Sequence, residues 1–215
     1  MGRKKKRNEK ELLVFYEEVP IPGKAELLEK GKVYGWKVEK KLILPINYSR
    51  KIFVKESDRW LTADVVMIAE DYINTTPLAS CYDSRLRRKF PRVAVSYSAP
   101  IKLYLRDVHS LEEPKEYKIL DVSEMGFSFV ADASEKFGIG DDLEVLMEIL
   151  YPASKRIERI QGKARIVRDE EIKDQIKKYG CMFTSIGGRE RQSLARYVAE
   201  RQVEIARTIK DFVLD

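Results

Sequence analysis

Two short stretches of this chain combine residue types that can hold an anion and read the edge of a base. The first is RRKFPRV, Arg87 to Val93, where Arg88 and Arg92 stand four positions apart just before an apolar run. A guanidinium is planar, permanently charged and bidentate. It fits a phosphate or the O6/N7 edge of guanine, and it can stack on a purine face. Lysine would keep the charge and lose the fork. The second stretch is DVSEMG, Asp121 to Gly126. The Asp121 carboxylate can accept from the N–H groups of a base edge, and the Ser123 hydroxyl can donate or accept. Gly126 can take a positive φ and admit a close backbone approach. Taken singly, each stretch also has an ordinary explanation. Asp and Ser at a strand end commonly form a turn, and arginine is plentiful in this sequence.

Other chemistries find few candidates. The single histidine, His109, lies in the loop-like DVHSLEEPK, which leaves neither a Ser–His–acid arrangement nor a histidine metal cluster to be read. The cysteines, Cys81 and Cys181, are far apart and do not make a disulfide framework. FGIGDD lacks the Lys-Ser/Thr ending of a phosphate-binding loop, so Asp141 and Asp142 read as a turn. The net charge is +6 over 215 residues, which favours anionic partners. The tail MGRKKKRNEK reads as polar, basic and disordered, and no apolar run reaches membrane-spanning length.

The elements that must position these residues are mainly β. GKVYGWKVEKKLILPI, KIFVKES and RWLTADVVMIAED suit half-buried strands, and EKELLVFYEEV suits a short helix or strand. NTTPLASCYDSRLR is polar, lacks periodicity and reads as a linker. A second series follows: VAVSYSAPIKLYL, EYKILDVSEMGFSFVA, DDLEVLMEIL, RIERIQGKARIVR and YGCMFTSI. The charged insert DEEIKDQIKK separates the last two. After Gly187 and Gly188 the apolar positions Leu194, Tyr197, Val198, Ile205, Ile209 and Phe212 mark one face of a helix.

RRKFPRV followed by DVSEMG resembles the PilZ family, receptors for the bacterial second messenger cyclic di-GMP. Arg88 and Arg92 match the family's RxxxR, and Asp121, Ser123 and Gly126 match its [DN]xSxxG. Tyr179 to Phe183, YGCMF, is similar to its GxxF strand. The resemblance implies that Arg88 and Arg92 hold phosphate and purine, that Asp121 and Ser123 read a guanine, and that Gly126 shapes the loop. Arg87 would add a supporting phosphate contact. It implies a non-enzymatic, cytoplasmic receptor with cyclic di-GMP as ligand, no cofactor or metal, and a protein partner such as the flagellar motor.

A β domain ahead of RxxxR resembles the two-domain flagellar-brake arrangement. The expected division is a β domain over 1–80, a linker over 81–92, and a barrel with its helix over 93–215. The linker carries Arg85, Arg87, Arg88, Lys89 and Arg92, like charges that predict an extended, mobile segment in the absence of an anion. Two other classes fit the sequence. One is a scaffold whose PilZ barrel does not bind nucleotide. The other is a basic nucleic-acid-binding β-barrel, since the 11 tyrosines are interleaved with cations.

Overall fold

The computed structural model describes residues 8–173 and 175–214. Most of the basic tail lies outside the described residues, but Glu9 and Lys10 already begin the first strand. The chain forms two compact units. One runs to Arg88 and includes Ile205–Asp215, and the other is Lys89–Glu204. Each is built on a closed six-stranded antiparallel barrel.

In the first unit the strands are β1 (Glu9–Tyr16), β2 (Val19–Lys30), β3 (Tyr34–Val38), β4 (Lys51–Glu56), β5 (Arg59–Ala69) and β6 (Tyr72–Thr75). Their order is β4-β1-β2-β3-β6-β5, closed by pairing of β4 with β5. A two-residue strand, β7 (Ala79–Ser80), adds to β5. Leu12, Val14, Trp36, Ile52, Val54 and Ile73 fill the barrel. The buried Trp36 indole N–H donates to Thr75 Oγ1 at 3.1 Å, so burying the ring strands no donor.

KKLILPI, expected as strand, is helical. Lys40–Leu42 is a 3₁₀ turn that leads into α1 (Ile43–Ser49). Leu42, Ile43 and Ile46 recur at helical spacing and are all buried in the barrel core. Pro45 sits in the first turn, where its missing N–H costs no helical hydrogen bond.

The second unit holds β8 (Val93–Ala94), β9 (Ile101–Asp107), β10 (Lys115–Ser123), β11 (Gly126–Asp132), β12 (Asp142–Leu150), β13 (Ile157–Lys173) and β14 (Ile176–Ile186). The barrel order is β11-β14-β13-β12-β9-β10, closed by β10 and β11, with β8 added to β10. Period-2 alternation is clean in β12, where Leu143, Val145, Met147 and Ile149 are buried. Phe127, Phe129, Tyr179 and Phe183 form a buried aromatic cluster inside this barrel. The helix α2 (Gly188–Leu214) buries Leu194, Tyr197 and Val198 within this unit. Tyr197 Oη donates to the Ala99 carbonyl at 2.7 Å. Further along α2, Phe212 packs against the core of the first unit, and Lys40 Nζ donates to the Val213 carbonyl at 2.9 Å.

Several expected elements differ. VAVSYSAPIKLYL is two strands, β8 and β9. A tight turn with Ser96 bridged to Ala99 interrupts it, and Pro100 supplies no N–H. The charged DEEIKDQIKK, expected as an insert between strands, is mostly strand: β13 runs to Lys173 and β14 starts at Ile176, with Glu170 opposite Lys178 and Glu171 opposite Lys177, so opposite charges face each other across the ladder. The polar NTTPLASCYDSRLR is folded as well: it holds the end of β6, all of β7 and a 3₁₀ turn at Ser84–Arg87, and the two units meet in sequence at Arg88 and Lys89. No helix among the described residues is long and apolar enough to cross a membrane.

Candidate functional site

The arginine motif is divided between the units, so its two halves are described separately. In the first unit Asp83 caps the Ser84–Arg87 turn by accepting from the Arg85 backbone N–H at 2.9 Å. The Arg85 guanidinium also forks onto the Asp83 carboxylate, with Nη2 to Oδ2 at 2.7 Å. Burial acts to raise the Asp83 pKa, but the hydrogen bonds from Arg85 outweigh it and hold the carboxyl below its ordinary value. Arg85 further lies over the Phe15 ring, 4.5 Å from its centroid. Over Ser84–Arg87 a turn stands where an extended segment is expected, because Asp83 and Phe15 answer the Arg85 charge locally, while Arg88 is extended. Arg87 is exposed and makes no ion pair among the described residues.

Arg88 is already engaged. Its Nη1 donates to Glu18 Oε2 at 2.5 Å, with the two side chains 22% and 24% exposed. Glu18 sits on the two-residue turn between β1 and β2, beside Glu17. Both carry positive φ, 48° at Glu17 and 70° at Glu18. Such turns favour Asn-Gly, since a side chain at positive φ is strained. The turn therefore holds an unfavourable residue whose carboxylate grips a motif arginine. The sequence offered no signal for this pair, since the two residues are 70 positions apart.

In the second unit β8 answers why an arginine stands at the mouth of a strand. Val93 and Ala94 pair with Val122 and Asp121 of β10, which delivers Arg92 to the end of that strand. Arg92 Nη1 donates to Asp121 Oδ1 at 2.9 Å, and Asp121 is only 3% exposed. A lone buried carboxylate would cost several kcal/mol. Here Ser128 Oγ donates to Asp121 Oδ2 at 2.5 Å, and Lys178 Nζ stands 3.6 Å from the same oxygen. Ser128 and Lys178 extend the expected set. Ser128 could have been noticed as a polar residue between two core phenylalanines, whereas Lys178 fell within the supposed insert.

Ser123 and Gly126 close the hairpin that joins β10 to β11. Ser123 Oγ donates to the Gly126 carbonyl at 3.1 Å, so its proton serves the turn. Gly126 does not use positive φ, as only Gly140 does among the described glycines. Its role is close approach. A Cβ there would run into the Cys181 carbonyl oxygen on the neighbouring β14.

Two bulges set which face these residues occupy. In β10 the register slips between Ile119 and Asp121, and in β13 it slips between Ile166 and Arg168. Ile119 and Ile166 are buried in the barrel, and strict alternation would turn Asp121 and Arg168 inward after them. The extra residue in each strand re-aims them to the outer face. There Asp121 pairs with Ser128, Ser128 with Gly180 and Gly180 with Arg168, one continuous row across β10, β11, β14 and β13.

The sequence model of the PilZ domain matches residues 86–200. No curated protein matches the chain. Among solved structures, the chain is similar to the inhibitor of motility MotI/DgrA of Bacillus subtilis at 14% identity and TM-score 0.46, over 92% of this chain and 97% of that one. It is similar to YcgR of Escherichia coli in complex with c-di-GMP at 9% identity and TM-score 0.45, over 94% and 88%. It is also similar to MrkH of K. pneumonia in complex with c-di-GMP at 13% identity and TM-score 0.47, over 93% and 90%. The match at 86–200 covers more than half of the chain and takes in both motifs, the barrel of the second unit and the first half of α2, so the chain belongs to the PilZ domain family.

Proposed function

We propose that this protein is a receptor for cyclic di-GMP. The observation that carries the reading is the complete motif pair within a PilZ domain, with Arg92 set against Asp121 at 2.9 Å. Arg88 and Arg92 engage phosphate and purine, with Arg87 in support. Asp121 keeps unused lone pairs after accepting from Arg92 and Ser128, so it can also accept from guanine N1–H and N2–H. Ser123 and Gly126 hold the loop that shapes this end of the barrel. The protein acts by binding and not by catalysis. Nucleotide binding changes the arrangement of the two units, and through a protein partner such as the flagellar motor it regulates motility.

Isothermal titration tests the binding. A dissociation constant of micromolar or tighter, about −8 kcal/mol, is expected for cyclic di-GMP. Arg88→Ala and Arg92→Ala should each weaken it by about 2 kcal/mol, the loss of a charge-assisted contact. Cyclic di-AMP, without the N1–H and N2–H pair, should bind far more weakly. No measurable binding, or both variants titrating like the parent, refutes the reading. Small-angle scattering with and without nucleotide tests the rearrangement separately.

A further inference from the structure

We propose that Arg168 is a further nucleotide-contacting residue, a cation that the fold places on the same outer row as Asp121 and Ser128. The inference rests on the cyclic di-GMP reading and adds a residue outside the two motifs. Three observations within the second unit support it.

The first is the bulge at Val167. It costs β13 a ladder position and leaves an apolar side chain 47% exposed, and in return it turns Arg168 outward. A matching bulge in β10 turns Asp121 onto the same row, so two independent irregularities converge on one strip of surface.

The second is Gly180, directly between Ser128 and Arg168 in that row. A Cβ at Gly180 would lie 2.6 Å from Arg168 Nε and 2.7 Å from its Cγ. The arginine stem therefore crosses β14 over a bare backbone, which directs its guanidinium along the row toward β11 and Ser128. Any larger residue at 180 would block that path.

The third is charge. Asp121 is the carboxylate of the row, and Arg92 and Lys178 already compensate it. Arg168 is exposed and its side chain has no hydrogen bond or ion pair among the described residues, so it adds a cation that the protein itself does not neutralise. An exposed guanidinium on the same row as a compensated carboxylate suits the phosphate of an anionic purine nucleotide, or the face of its base.

Titration of the full-length chain with cyclic di-GMP decides the matter. Arg168→Ala should weaken binding at least tenfold. Arg168→Lys, which keeps the charge and loses the fork, should fall between. Gly180→Ala, which displaces the arginine without removing it, should also weaken binding. Arg165→Ala removes a cation from the same strand that is paired with Asp142, and it should stay within twofold of the parent. Thermal unfolding of each variant identifies any that lose affinity through misfolding, and the exposed Arg168 substitutions are expected to fold. If the parent binds while both Arg168 variants stay within twofold of it, the inference is overturned and the receptor reading survives. If the parent does not bind, both fall.

Discussion

Glu18→Gln should tighten the binding of cyclic di-GMP. In the structure the Glu18 carboxylate takes one N–H of the Arg88 guanidinium and offsets its charge, so it competes with a nucleotide phosphate for that arginine. A hydrogen bond between charged partners is worth roughly 1.5–3 kcal/mol, whereas an exposed ion pair is worth 0–1 kcal/mol or so. With about a fifth of each side chain in solvent, screening places this pair near 1 kcal/mol. The amide keeps the shape of the side chain and removes its charge, so most of that competition disappears. An affinity gain of about fivefold follows, since 1.4 kcal/mol is about tenfold. Titration of parent, Glu18→Gln, Arg88→Ala and the double variant measures the coupling directly. In the Arg88→Ala background the Glu18 substitution should do nothing. Unchanged or weaker binding by Glu18→Gln refutes the reasoning, as does a gain that persists without Arg88.

Gly126→Ala should destabilise the protein by about 2 kcal/mol or more, because the new methyl meets backbone, the Cys181 carbonyl oxygen, rather than a movable side chain. Denaturant unfolding checks this, and a midpoint equal to the parent's would contradict it. The cysteines should react unequally. Burial pushes the Cys181 thiol up to about 12, whereas Cys81 is half-exposed, so iodoacetamide at pH 8 should label Cys81 in the folded protein and both residues in denaturant. Equal labelling without denaturant would contradict the burial.

Much of the second barrel was legible because its strands alternate. DLEVLMEIL could be read residue by residue, and the face of α2 followed from helical spacing. The motif residues were legible by type, since few residues besides arginine and aspartate offer that combination of charge and geometry. What could not be read was anything that depends on partners distant in sequence. Glu18 meets Arg88 only because a strained turn closes the β1–β2 hairpin beside the Ser84–Arg87 segment. Asp121 and Arg168 share a face only because each follows a single extra residue, and a bulge leaves no mark in a period-2 pattern except an apparent error. KKLILPI reads as strand because a short apolar run fits a buried helix as well as a strand. DEEIKDQIKK shows no strand signal because two paired, exposed strands need no apolar residues.

The closure of both barrels also limits how another protein can be recognised. A sheet with a free edge can accept an added strand, and that route to a partner, or to an aggregate, needs an unpaired row of N–H and C=O groups. Here the strands appended outside the barrels, β7 and β8, are two residues long. The stretch of β13 beyond β12, Arg168–Lys173, is laddered on one side only, to β14. Five of its six residues are charged, and an incoming strand would have to bring those charges together and strip their water. Backbone templating is thereby discouraged along this edge, which leaves any recognition there to side chains on the outer face of the barrel.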